Sequence, residues 1–81
     1  MAKRSPTHAF APELVALGLT IRTSRGKLGM SQEELAHVAG VDRSYMGGIE
    51  RGEHNLTVIT LCRVSSAVGL RPSDLLKGSG L

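Results

Sequence analysis

Residues 31–52 read SQEELAHVAGVDRSYMGGIERG, and this stretch decides the fold. Ser31, followed three residues later by Glu34, is a capping box: each residue can satisfy a backbone N–H at the start of a helix. Leu35, Ala36, Val38 and Ala39 follow at helical spacing, and Gly40 ends the segment. Asp42 then caps a second helix, Arg43 to Arg51, with Met46 and Ile49 facing inward and Gly52 as its stop. Only Gly40-Val41-Asp42 joins the pair, so the two helices must cross steeply. Ala36 and Gly40 supply the small residues that such a crossing needs. Leu35, Ala39, Val41, Met46 and Ile49 form the apolar seam.

Working outward, Leu14, Leu17, Ile21 and Leu28 lie on one helical face, with Pro12 in the first turn and Gly29 as the stop. Gly18 and Gly26 lower the propensity of this helix by about 1 kcal/mol each relative to Ala, so packing must compensate. Beyond the pair, Thr57 caps a fourth helix over Val58 to Val68, ended by Gly69. Pro72 opens a short fifth helix that ends near Lys77. No stretch alternates with period two. The expected architecture is therefore all-α, a compact five-helix bundle over residues 12–77. A flexible arm over 1–11 precedes it and a loose tail over 78–81 follows.

Composition excludes several function classes. Eighty-one residues make one small domain, burying roughly 60% of its unfolded surface. Aromatics are 2%, too few for the stacking platforms of a single-strand binder. One cysteine, Cys62, excludes an internal disulfide and reads as a small buried hydrophobe. Cys62, His8, His37 and His54 are too scattered for a structural zinc site, so neither metal nor cofactor is expected. The apolar run from Ala9 to Ile21 is broken by Pro12 and Glu13, and is too short to span a bilayer. A cytoplasmic protein without membrane contact is the expectation. No nucleophile–base pair or phosphate-cradling loop is visible, so neither an enzyme nor a small-molecule substrate is expected.

The short connection, small crossing residues and apolar seam are those of a DNA-binding helix-turn-helix. Residues 17–76 resemble the lambda-repressor/Cro-like (XRE) helix-turn-helix family. The resemblance is carried by Gly29 to Ala36, Ala39-Gly40-Val41 and Ile49-Glu50-Arg51-Gly52. Within that family, residues 42–57 are most similar to the controller proteins of restriction–modification systems. The resemblance implies a lambda-repressor-like fold whose third helix enters the major groove of double-stranded DNA.

It also implies roles. Arg43, Ser44 and Tyr45, at the start of the third helix, are the candidate base readers. A guanidinium fork suits guanine O6 and N7. Tyr45 either joins them, packs over a neighbouring turn or touches a phosphate. Gln32, His54, Asn55 and Thr57 are the candidate backbone contacts, Gln32 standing where a helix N-terminus already favours phosphate. His54 occupies a position where similar sequences often carry arginine. Arg25 and Glu50 are expected to pair as a structural salt bridge between the first helix and the motif. Gly47 and Gly48 together cost on the order of 2 kcal/mol inside a helix. They serve either close approach to DNA or close helix packing.

The net charge of +3 is unevenly placed. Residues 1–27 hold five basic residues and one acidic, 28–54 hold two basic and five acidic, and 55–81 hold three basic and one acidic. Basicity is thus no footprint of the recognition helix. Lys3 and Arg4 are read as part of the loose arm. One helix-turn-helix reads few base pairs, so a homodimer on a (pseudo)palindromic operator is expected, joined through Val58, Leu61, Leu70, Leu75 and Leu76. The expected function is a sequence-specific transcriptional regulator, as controller of a restriction–modification operon. An antitoxin or phage-type repressor is the alternative within the class. A protein-interaction module that reuses the fold is the alternative outside it. Arg43, Ser44 and Gln32 favour DNA, because an interaction module would place apolar residues at positions 43 and 44.

Overall fold

The computed structural model describes residues 7–81, so Lys3 and Arg4 lie outside the described residues. The described residues form five helices and no strand: α1 (Pro12–Lys27), α2 (Gln32–Ala39), α3 (Arg43–Arg51), α4 (Val58–Ala67) and α5 (Pro72–Gly78). Each start has a local cause. Pro12 supplies a preset φ at the first turn of α1. Ser31 Oγ accepts from the Glu34 N–H at 3.0 Å, and the Ser31 N–H donates to Glu34 Oε1 at 2.8 Å, closing the capping box of α2. Thr57 Oγ1 accepts from the Thr60 N–H at 3.1 Å to cap α4. Gly40 and Gly52 end α2 and α3 in the left-handed conformation.

α3 packs against α1 and α2, α2 against α4, and α5 closes on α1 and α4. Leu17, Ile21, Leu35, Met46, Ile49, Val64, Val68 and Leu75 fill the common core. The seam foreseen between α2 and α3 is mostly part of it; Val41 is half-buried at its edge. Gly18 sets the distance between α1 and α3. A Cβ there would stand 2.5 Å from the carbonyl oxygens of both Ile49 and Glu50. The helix propensity lost at Gly18 is therefore offset by close contact with the last turn of α3.

Four expectations need correction. Leu28 follows the end of α1 and is exposed, because its seven-residue offset from Ile21 runs past the last turn. Cys62 faces outward from α4 rather than into the core. Leu75, assigned to a dimer surface, is 0% exposed, since α5 inserts it between α1 and α4. The last residues are tied down: Ser79 Oγ donates to Thr20 Oγ1 on α1 at 2.9 Å, and the Leu81 N–H donates to the Leu76 carbonyl at 2.9 Å. Before α1, the Phe10 N–H donates to the Gly52 carbonyl at 2.7 Å, fastening residues 7–11 to the end of α3.

The two glycines of α1 should separate in denaturant. Gly18→Ala is expected to lose about 1–3 kcal/mol through overpacking. Gly26→Ala, whose Cβ would meet nothing within 4 Å, should gain about 0.5–1 kcal/mol from propensity. Urea midpoints measure both, and equal midpoints would contradict the close α1–α3 approach.

Candidate nucleic-acid interface

The N-terminal turn of α3 is built on Asp42. Its Oδ1 accepts from the Tyr45 N–H at 2.9 Å and from the Ser44 hydroxyl at 2.6 Å. The Ser44 hydroxyl, followed by the Tyr45 N–H, holds the Asp42 carboxyl below the usual aspartate range. Arg43, at the first position of α3, is exposed and makes no hydrogen bond or ion pair among the described residues. Its five donors are therefore available to an incoming acceptor. Arg25, Arg51 and Arg71, by contrast, are engaged with Glu50, Glu53 and Asp74.

In the last turn of α3 sits one carboxylate that joins three helices. Arg25 Nε donates to Glu50 Oε2 at 2.7 Å and Arg25 Nη2 to Glu50 Oε1 at 3.0 Å, a bidentate pair. Arg25 Nη1 also donates to the Met30 carbonyl at 3.0 Å, reaching the loop before α2. Gln32 Nε2 donates to Glu50 Oε1 at 3.0 Å. The Glu50 side chain is 3% exposed, and its hydrogen bond to Arg25 raises the guanidinium further above its ordinary value. The structure thus brings Arg25 and Glu50 together. It also ties Gln32 to them, a contact that spacing alone did not reveal. One N–H of the Gln32 amide is committed to Glu50.

The two glycines of α3 provide room for side chains from elsewhere. A Cβ at Gly47 would stand 3.0 Å from Arg51 Nη1 and 3.2 Å from Gln32 Oε1. A Cβ at Gly48 would stand 2.3 Å from His54 Nε2. The expectation that His54 contacts phosphate is corrected here. The residue is 5% exposed, and its ring stacks on Tyr45 with centroids 4.4 Å apart and planes 16° from parallel. The Gly-Gly pair in mid-helix was the one signal in the sequence that something must approach closely there. Asn55 is exposed beside this loop. Thr57 is exposed too, but its hydroxyl is engaged with Thr60 as the α4 cap.

The residues assigned to a dimer surface are not equivalent. Leu61, Leu70 and Leu76 are half-buried, Leu75 is core, and Val58 is 73% exposed. The apolar surface lies further along α4 and across to α2. Ile59 is 64% exposed, and with Val38 and Cys62 it lines an open groove between the two helices. Neither Ile59 nor Val38 was singled out from the sequence for this surface. Among the described residues no His, Cys, Asp and Glu group could hold a metal ion, and no helix is long and apolar enough to cross a membrane.

With this geometry in view, the similarities are specific. A helix-turn-helix family model matches residues 21–75. The control protein C.SmaI of Serratia marcescens is 37% identical over 65 residues, covering 80% of this chain and 77% of that protein. The control protein C.BamHI of Bacillus amyloliquefaciens is 40% identical over 60 residues, covering 73% and 74%. The crystal structure of the restriction–modification controller protein C.AhdI from Aeromonas hydrophila superposes with a TM-score of 0.75 at 40% identity, covering 78% of this chain and 96% of that one.

The cap of α3 makes a pH prediction. A carboxyl whose pKa is lowered on folding contributes stability above its unfolded-state value. That contribution is lost as pH falls through the folded-state value. Asp42→Asn retains an N-cap, so its melting temperature near neutrality should stay close to that of the parent. Its decline below about pH 4 should be shallower. Melting curves taken from neutral to acid pH decide this, and parallel declines would rule out a charge contribution from Asp42.

Proposed function

The chain belongs to the helix-turn-helix family and is a DNA-binding transcriptional regulator, and from that premise we propose that it acts in the cytoplasm as the homodimeric controller of a restriction–modification operon. The observation that carries the reading is the exposed, uncommitted Arg43 at the first position of a helix whose register is fixed from behind by Glu50. α3 lies in the major groove, with Arg43 bidentate to a guanine and Ser44 and Tyr45 at neighbouring base edges. Gln32, Asn55 and Thr57 contact the sugar–phosphate backbone, joined by the free N–H groups at the start of α2. The controller role is favoured by the control proteins among the relatives and by the controller structure that superposes on this fold. The family is one of regulators rather than of enzymes.

Two copies supply the specificity that one short recognition helix lacks. The surface that best fits a symmetric contact is the exposed face of α4, Val58, Ile59 and Cys62, with Val38 alongside. Leu61 is half-buried on the same helix, whereas Leu70 lies beside Ser24 and Lys27 of α1. An isologous contact places the same patch on both partners, and the two α3 helices then address half-sites about 34 Å apart.

Loss of the Arg43 fork should remove base choice rather than general affinity. On a duplex selected from a random pool by the full chain, Arg43→Ala is expected to cost about 1–3 kcal/mol and to relax selectivity at one position. Gln32→Ala should weaken binding to selected and random duplexes alike. Titrations by fluorescence anisotropy on both duplexes separate the two. Equal losses for Arg43→Ala on both would contradict its reading role. Sedimentation of Ile59→Asp should give a monomer where the parent gives a dimer. A parent that stays monomeric to high micromolar concentration would end the dimer proposal.

A further inference from the structure

His54 reaches the recognition helix from outside it. The residue follows the left-handed turn at Gly52, and the loop is drawn back over α3 by the Glu53 N–H, which donates to the Gly48 carbonyl at 2.9 Å. The imidazole then lies on the bare backbone of Gly48, in space that any side chain there would fill. The face of the ring meets Tyr45, the chain's one tyrosine, in a near-parallel stack. Three features converge on this contact: a glycine that lowers helix propensity, a buried imidazole, and an aromatic ring in the first turn of α3. The core itself closes through Met46 and Ile49, and the half-buried Tyr45 packs at its edge, leaving part of its ring for the imidazole.

We propose that His54 is a positioning residue for recognition, holding the Tyr45 ring in one orientation before DNA arrives. The proposal rests on the assignment of Tyr45 to the base-reading turn. A half-buried tyrosine on a first turn has more than one staggered χ1 well. Ordering it on binding reduces affinity for the cognate site. A flat ring stacked on it, itself wedged against Gly48, removes that freedom in the free protein. His54 thereby affects base choice without touching a base or a phosphate.

The test compares two replacements in the full chain. His54→Phe keeps a flat face on Tyr45, whereas His54→Leu keeps apolar volume and removes the face. The readouts are the ratio of affinities for a duplex selected by the parent chain and a random duplex of equal length, and the tyrosine near-ultraviolet circular dichroism. With no tryptophan in the chain, that signal reports Tyr45. His54→Leu is expected to lower the ratio roughly three- to tenfold, the effect of one side chain ordered on binding, and to lose the dichroic band. His54→Phe should retain both. Gly48→Ala, which displaces the imidazole without altering it, should behave as His54→Leu does. Partial unfolding of any variant lowers both affinities together and leaves the ratio intact.

In a Tyr45→Ala background, His54→Leu should change the ratio no further. Equal ratios for the Leu and Phe variants would overturn the proposal, and so would an undiminished effect without Tyr45. If Tyr45→Ala leaves the ratio unchanged while Arg43→Ala lowers it, Tyr45 does not read and the proposal falls with that assignment. If neither variant lowers it, the base-reading turn itself is wrongly placed.

Discussion

Glu50 is the point at which α1, α2 and α3 are fixed to one another. Its buried carboxylate takes two donors from Arg25 and one from Gln32, while Arg25 also holds the Met30 carbonyl before α2. Removing such a pair from water is costly, and a well-packed apolar replacement often serves stability as well or better. What the arrangement supplies is direction. A bidentate guanidinium–carboxylate contact is planar and tolerates little rotation. A hydrophobic contact between the same helices would tolerate more. The start of α3 is thereby aimed relative to the start of α2, and these are the two helix ends assigned to bases and to phosphate.

The contact requires the backbones to be close, and Gly18 permits that where α1 meets the Ile49 and Glu50 carbonyls. Glycine then recurs for a different purpose within α3 itself. Gly47 leaves space beside the Gln32 amide, and Gly48 leaves space for His54. A nine-residue helix carrying two glycines is intrinsically weak. It is held by Asp42 at one end, by the Gly52 turn at the other, and by Met46 and Ile49 in the core. α3 thus draws its order from its surroundings more than from its own propensity.

Most of the fold was legible because its determinants are local. Ser31 with Glu34, and the caps Asp42 and Thr57, announce helix starts through neighbours three residues away. Gly40 and Gly52 announce ends by the same local logic. The Arg25–Glu50 partnership was legible only through resemblance to a family. The misread positions are those whose surroundings are assembled from distant segments. Leu28 continues the α1 periodicity after the helix has ended. Leu75 and Cys62 are apolar residues on C-terminal helices whose inward faces depend on how α4 and α5 pack. His54 looks like an exposed polar loop residue until the absence of a side chain at Gly48 is placed beneath it. Helical periodicity shows that a face exists, but packing decides which partner covers it.

We propose that a pair of copies presents two α3 helices, each aimed by Glu50, to matching half-sites. Sequencing the duplexes that the full chain retains from a random pool tests this most directly. The expected result is an inverted repeat with centres about one helical turn apart and a guanine enriched at the same place in each half. Retained duplexes with no enriched sequence, or with a single unrepeated motif, would contradict it.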